Sequence, residues 1–181
     1  MTNRNKIQKF LGGLMLAVLA LPAAASQNFT VGADLLAGKP FKSADGIAGR
    51  STNDFGGQLR AEWDAKPFLS LGLGYSQTRL YYWHDSGRTQ VGALDVTGRL
   101  ITPQDWAGFR PFVVGGVGYN VFGVAAPGGG HYHGQAEAGV RYNFNPAVNA
   151  DLGLAYNFVS PITASINMVD VRAGLNYTFG L

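Results

Sequence analysis

Val169-Asp170-Val171-Arg172-Ala173-Gly174-Leu175-Asn176-Tyr177-Thr178-Phe179 alternates apolar and polar positions without a break. Val169, Val171, Ala173, Leu175, Tyr177 and Phe179 share one parity, and Asp170, Arg172, Gly174, Asn176 and Thr178 share the other. Successive side chains of a β-strand point to opposite faces, so this period of two predicts a strand with one apolar and one polar, charged face. A helix would spread both classes around its circumference.

The same pattern recurs upstream. Val148, Ala150, Leu152, Leu154, Tyr156 and Phe158 oppose Asn149, Asp151, Gly153 and Asn157; Ala136, Ala138, Val140 and Tyr142 oppose Gln135, Glu137, Gly139 and Arg141. Val113, Val117, Tyr119 and Val121 oppose Gly116, Gly118 and Asn120, with Phe112 and Val114 as apolar intruders on the polar face. Leu94, Val96 and Leu100 face away from Ala93, Asp95, Thr97 and Arg99, and Leu69, Leu71, Leu73 and Tyr75 from Ser70, Gly72, Gly74 and Ser76. Phe55, Leu59, Ala61 and Trp63 oppose Asp54, Gln58, Arg60 and Glu62, and Phe29, Val31, Ala33, Leu35 and Ala37 oppose Thr30, Asp34 and Leu36. The count is eight runs. Each has about the ten residues of a tilted strand crossing a membrane, and eight is the smallest strand number usual for a membrane barrel.

The connections alternate in kind. Residues 64–67, 102–108 and 144–147 read as short turns, and 39–52, 83–89, 122–131 and 159–165 as longer loops. Short turns at one end and long loops at the other belong to outer-membrane barrels. Both chain ends then fall on the short-turn, periplasmic side. Phe29, Trp63, Phe68, Tyr142, Phe144, Tyr177 and Phe179 are expected at the periplasmic rim, and Tyr75, Tyr119, Phe122, Tyr132, Tyr156 and Phe158 at the outer one. Two such belts fit rings that settle at membrane–water interfaces.

The N-terminus belongs to export. Arg4, Lys6 and Lys9 precede an apolar run, Phe10 to Leu21, and Pro22 leads into Ala23-Ala24-Ala25. The run falls short of the ~20 residues of a spanning helix and has the order of a cleaved secretory signal. Residues 1–25 are therefore read as a signal peptide and 26–181 as the barrel, with cleavage after Ser26 as the alternative. The full chain has 14 basic and 11 acidic residues, and the signal carries three of the basic ones. The remainder is balanced, which removes the case for nucleic-acid binding. It keeps only Lys39, Lys42 and Lys66 as lysines, few for a soluble surface, and the chain has no cysteine to form a disulfide.

A closed barrel of this size has little interior room for so much Leu, Val, Tyr and Phe. The apolar face is therefore placed toward lipid and the polar face toward the lumen, against the alternative of a soluble lipocalin-like carrier with the faces reversed. The lumen then holds Asp34, Asp54, Arg60, Glu62, Asp95, Arg99, Glu137, Arg141, Asp151, Asp170 and Arg172. With more acids than arginines, one-to-one pairing fails. Arg60, Arg99, Arg141 and Arg172 are each expected to bridge more than one carboxylate, because buried charge is tolerated only when partners surround it. The glycines at 32, 56, 72, 74, 116, 118, 139, 153 and 174 are expected to leave small water-filled cavities.

Two stretches carry a more specific likeness. Phe109-Arg110-Pro111-Phe112-Val113-Val114-Gly115-Gly116-Val117-Gly118-Tyr119 resembles a strand of the small outer-membrane barrel superfamily that includes the OmpA transmembrane domain and the OmpX group, with Phe112 where that strand has tyrosine. Val171 to Phe179 resembles the closing strand read by the barrel-assembly machinery, although Gly180 and Leu181 follow its Phe179. The resemblance implies an all-β fold, an eight-stranded antiparallel up-and-down transmembrane barrel after a cleaved signal peptide, in the outer membrane. Unlike full-length OmpA, the sequence ends after this strand, so no periplasmic peptidoglycan-binding domain is expected.

Chemistry is sparse. His131, His133 and Glu137 share a parity, but no third kind of ligand completes a metal site, and lumen-mouth histidines are the simpler reading. His84-Asp85-Ser86 has the residue types of a hydrolytic triad, yet neighbours in sequence do not generally meet its geometry. Lipid A deacylase barrels carry a His-x-Ser-Asn stretch where this chain has His131-Tyr132-His133-Gly134, and palmitoyltransferase barrels carry a helix before the first strand. No catalytic residue, metal or cofactor is assigned, and a non-enzymatic structural or surface protein is expected. The alternatives are a narrow ion channel and a lipid A-modifying enzyme. The expected partners are outer-membrane lipid, lipopolysaccharide met by Lys39, Lys42, Arg50, Arg79 and Arg88 at the outer rim, and the assembly machinery during biogenesis; the protein is expected to be a monomer.

Overall fold

The computed structural model describes residues 28–42, 51–82, 88–122, 132–160 and 166–180. Residues 1–25, read above as a signal peptide, and Arg50, His84-Asp85-Ser86, His131 and Leu181 lie outside them.

The eight runs form eight strands: β1 (Asn28–Lys42), β2 (Ser51–Lys66), β3 (Leu69–Tyr82), β4 (Arg88–Ile101), β5 (Phe109–Phe122), β6 (Tyr132–Asn143), β7 (Val148–Ser160) and β8 (Ile166–Gly180). Each pairs antiparallel with its sequence neighbours, and β8 returns to β1 so that no edge is left. Closure lets the strands pair their backbone donors and acceptors within the protein, as a lipid environment requires.

The strands are longer than the apolar runs. Residues 39–42, 51–52, 88–89, 122 and 159–160, expected in loops, continue the strands, with Lys39 opposite Val169 and Tyr81 opposite Arg88. Lys39, Lys42 and Arg88 are therefore strand residues. Backbone pairing does not need apolar side chains, so hairpins continue beyond the apolar band.

The short end is built by local hydrogen bonding. In the 102–108 connection the Asp105 carboxylate accepts the Gly108 N–H at 2.5 Å, and Trp106 and Phe109 close an isolated bridge. Ala107 and Gly108 both have positive φ, 56° and 88°. A side chain at 108 would also press on the Tyr142 ring. In the 144–147 turn the Asn145 side-chain oxygen accepts from the N–H groups of Ala147 and Val148, a turn that asparagine makes readily. Asn28 and Gly180 are paired at this same end.

The barrel is inverted relative to a soluble protein. Leu35, Leu59, Val117, Leu154 and Leu175 are all at least 60% exposed on its outside, while Asp34, Glu62, Asp95, Arg99, Asp151 and Arg172 are buried within it. The reversed arrangement of a soluble carrier is not the one adopted. Ring contacts mark both rims: Phe29 with Phe179, Phe109 and Phe144 with Tyr142, and Tyr177 with Phe179 at the periplasmic end, Tyr119 with Tyr132 at the outer.

Candidate functional site

The lumen is the site the residues build. Register sets its first contact: Arg141 on β6 lies opposite Asp151 on β7. The guanidinium donates to both carboxylate oxygens, from Nε to Oδ1 at 2.8 Å and from Nη2 to Oδ2 at 3.0 Å. Two-pronged contacts of this kind are the strong form of the arginine–carboxylate bond. Two further arginines cross the barrel to the same carboxylate, Arg60 from β2 and Arg99 from β4, each at 2.6 Å.

Two more acids complete the cluster. Arg60 lies 3.1 Å from Asp34 and 3.7 Å from Glu62; Arg99 lies 2.9 Å and Arg141 3.6 Å from Glu62. Three guanidinium groups thus share three carboxylates, and the expectation of multiple bridges holds for Arg60, Arg99 and Arg141. Arg60 also donates to the Asn176 side-chain oxygen, whose amide donates in turn to Asn149. The Phe112 and Val114 intruders gain a role beside this cluster. They pack with Ile101 into a small apolar core, and the Arg99 guanidinium lies 4.3 Å from the Phe112 ring centre. The charge is then faced by an aromatic surface as well as by oxygens.

Nearer the outer end the pattern changes. Arg172 reaches one carboxylate, Glu137 at 3.2 Å, from Nη1, which also donates to Gln58, while Nη2 donates to Asn157. The expectation that Arg172 bridges several acids is corrected here: Asp170, two residues along the same strand, is taken by the Asn157 amide. Asp95 is likewise held without arginine, by His133 and by Gln58. His133 points to Asp95 while Glu137 points to Arg172, so these two residues of one parity have separate partners. Asp54 lies in β2 on the lumen parity, but its side chain is outside the described residues.

The lumen glycines do not leave the expected cavities. A methyl group at Gly32 would meet the Arg60 and Asn176 heads, at Gly153 the Glu137 carboxylate, at Gly174 that of Asp34, and at Gly116 the Gln135 amide. Their space is occupied by neighbouring polar side chains, which is how so many long residues fit one narrow barrel. The amides Gln58, Asn149, Asn157 and Asn176 stood on the polar face in the sequence but were given no part in the charge network. The surplus of acids over arginines was the signal that neutral donors had to exist.

Of the five basic residues assigned to the outer rim, Lys39 and Arg79 have described side chains, and both are exposed on the outside of the barrel. Lys42 and Arg88 are described as strand backbone only.

Among solved structures the chain is similar to Neisserial surface protein A, at 14% identity and a TM-score of 0.67, over 87% of this chain and all of that one. It is similar to the outer membrane protein OprG from Pseudomonas aeruginosa at 13% identity and TM-score 0.56, over 86% of this chain and 97% of that one. A third likeness, to the N-terminal β-barrel domain of Pseudomonas aeruginosa OprF, has 15% identity and TM-score 0.51, over 82% of this chain and 97% of that one. At these identities the likeness shows the fold, that of the small outer-membrane β-barrel. No family model and no curated protein matches the chain.

Proposed function

We propose that this chain is a non-enzymatic outer-membrane β-barrel protein, exported by a signal peptide cut after Ala25, with a structural or surface role and a lumen held shut by ion pairs. The convergence of Arg60, Arg99 and Arg141 on Asp151 carries this reading. It ties β2, β4, β6 and β7 together across the barrel, and any continuous path would have to pass through it. An eight-stranded barrel has an interior just wide enough for its side chains to fill. The one lumen histidine with a described side chain, His133, is engaged by Asp95 rather than poised beside a nucleophile.

A narrow cation channel is the second reading, favoured by one observation: among the described residues the outer part of the lumen sets Asp95, Glu137 and Asp170 against the guanidinium of Arg172. Planar-bilayer recording separates the two. The purified wild type is expected to show no steady open level, and Arg60→Ala with Arg99→Ala to raise conductance by loosening the plug. A steady, cation-selective current from the wild type would replace the structural reading with the channel.

A further inference from the structure

On the outside of the barrel, β1, β2 and β3 enclose a groove of about 520 Å³ whose floor is the backbone around Gly57. The register lays out its rows. Ala33, Leu59 and Tyr75 form the row nearest the membrane centre; Leu35, Gly57 and Gln77 form the next; Ala37, Phe55 and Arg79 lie nearest the outer end. Leu59 is 64% and Phe55 55% exposed, so each stands up from the sheet on either side of the glycine. A methyl group at Gly57 would touch only the Asp34 carbonyl oxygen, at an ordinary 3.5 Å, so the missing side chain leaves open space on the lipid side.

The groove has an apolar bottom and a charged lip. Tyr75 belongs to the outer aromatic belt, where rings mark the interface. Gln77 and Arg79 follow it outward on the same face, each step about 6.7 Å along the strand. Lys39 stands on the same exterior face of β1, one step beyond the Ala37–Phe55–Arg79 row, and two strand spacings with that step put the Cα atoms of the two cations about 12 Å apart across the groove. Neither forms an ion pair among the described residues. The lumen charges, by contrast, are turned inward and engaged.

We propose that this groove binds lipopolysaccharide, seating one acyl chain over Gly57 between Phe55, Leu59 and Tyr75 with the lipid phosphates on Arg79 and Lys39. The proposal rests on the outer-membrane reading above, which puts the lip in the outer leaflet. Lipopolysaccharide answers both halves of the site, acyl chains beneath and more than one phosphate above. A diacyl phospholipid such as phosphatidylglycerol offers a single phosphate to two cations.

The test titrates labelled lipopolysaccharide into the detergent-solubilised, folded mature barrel, with deacylated lipopolysaccharide and phosphatidylglycerol as separate arms. Arg79→Gln and Lys39→Gln are each expected to weaken binding about fivefold, as for ~1 kcal/mol per basic residue at an anionic surface. Gly57→Leu is expected to weaken binding of the intact lipid about tenfold, the loss of contact with roughly two methylene groups, and to leave the deacylated form unchanged. Unchanged affinity in all three variants would overturn the site, and phosphatidylglycerol binding as tightly as lipopolysaccharide would overturn the choice of ligand. Gel mobility with and without boiling accompanies each measurement. If Gly57→Leu loses the folded band, Ala33→Leu fills the same groove from β1. A wild type with no heat-dependent shift would sink the membrane-barrel reading itself, whereas intact shifts with unchanged binding sink only the groove.

Discussion

In the periplasmic half of the lumen Arg60, Arg99 and Arg141 share Asp34, Glu62 and Asp151, three charges against three, beside the apolar core of Ile101, Phe112 and Val114. In the outer half, among the described residues, the lumen holds the guanidinium of Arg172 and the three carboxylates of Asp95, Glu137 and Asp170, and the work of holding Asp95 and Asp170 falls to His133, Gln58 and Asn157. The same alternating strands thus supply a balanced plug at one end and an acid-rich, amide-lined space at the other. The difference teaches that pairing in a narrow barrel is collective. What counts is the composition of each level of the lumen rather than the total across it.

The comparison breaks most sharply at Asp151. Asp151→Ala strips three guanidinium groups of their shared partner, and removing one member of a buried ion cluster costs about 3–5 kcal/mol. Denaturant unfolding of the micelle-embedded barrel should show the largest midpoint loss for this variant. Arg141→Ala should fall close behind. An effect no larger than that of a surface charge would mean that the plug does not hold the barrel together.

Arg172→Met tests the outer half. It leaves Glu137 without a cation while Gln58 and Asn157 keep Asp95 and Asp170 supplied, so a smaller loss of about 2–3 kcal/mol is expected, within the cost of a hydrogen bond to charge. If it equals the Asp151→Ala loss, the two halves are energetically alike and the distinction fails. A double-mutant cycle sharpens the point. Arg60→Gln and Arg99→Gln, which meet on Asp151, should couple by about 0.5–3 kcal/mol, whereas Arg60→Gln and His133→Gln should add. The smallest change belongs to the exterior, where Gly57→Leu should move stability by no more than about 0.5 kcal/mol, as for surface substitutions away from packed features.

Much of this was legible in the chain. Period-two runs such as Val148 to Phe158 read as strands because alternation is a local property, and the parity that carries Arg60, Arg99 and Arg141 carried them inward. Strand ends were less legible. Lys39 and Arg88 read as loop because their surroundings are polar, while ladder pairing is indifferent to that. Arg172 reaches fewer carboxylates than expected because parity tells which face a residue takes but not what lies at its level on strands far away in sequence.

The sequence by itself determined the class of fold, the number of strands, which face meets lipid and which charges line the interior, since each follows from spacing and composition within one run. Only the tertiary structure decided who meets whom. Arg60 reaches Asn176 across 116 residues and Arg172 reaches Gln58 across 114, contacts that exist because closure sets β1 beside β8 and fixes the stagger of every strand. The same closure spent the lumen glycines on neighbouring side chains and left Gly57 open on the outside. Alternation is written residue by residue, but the level at which two strands meet is a property of the whole ring.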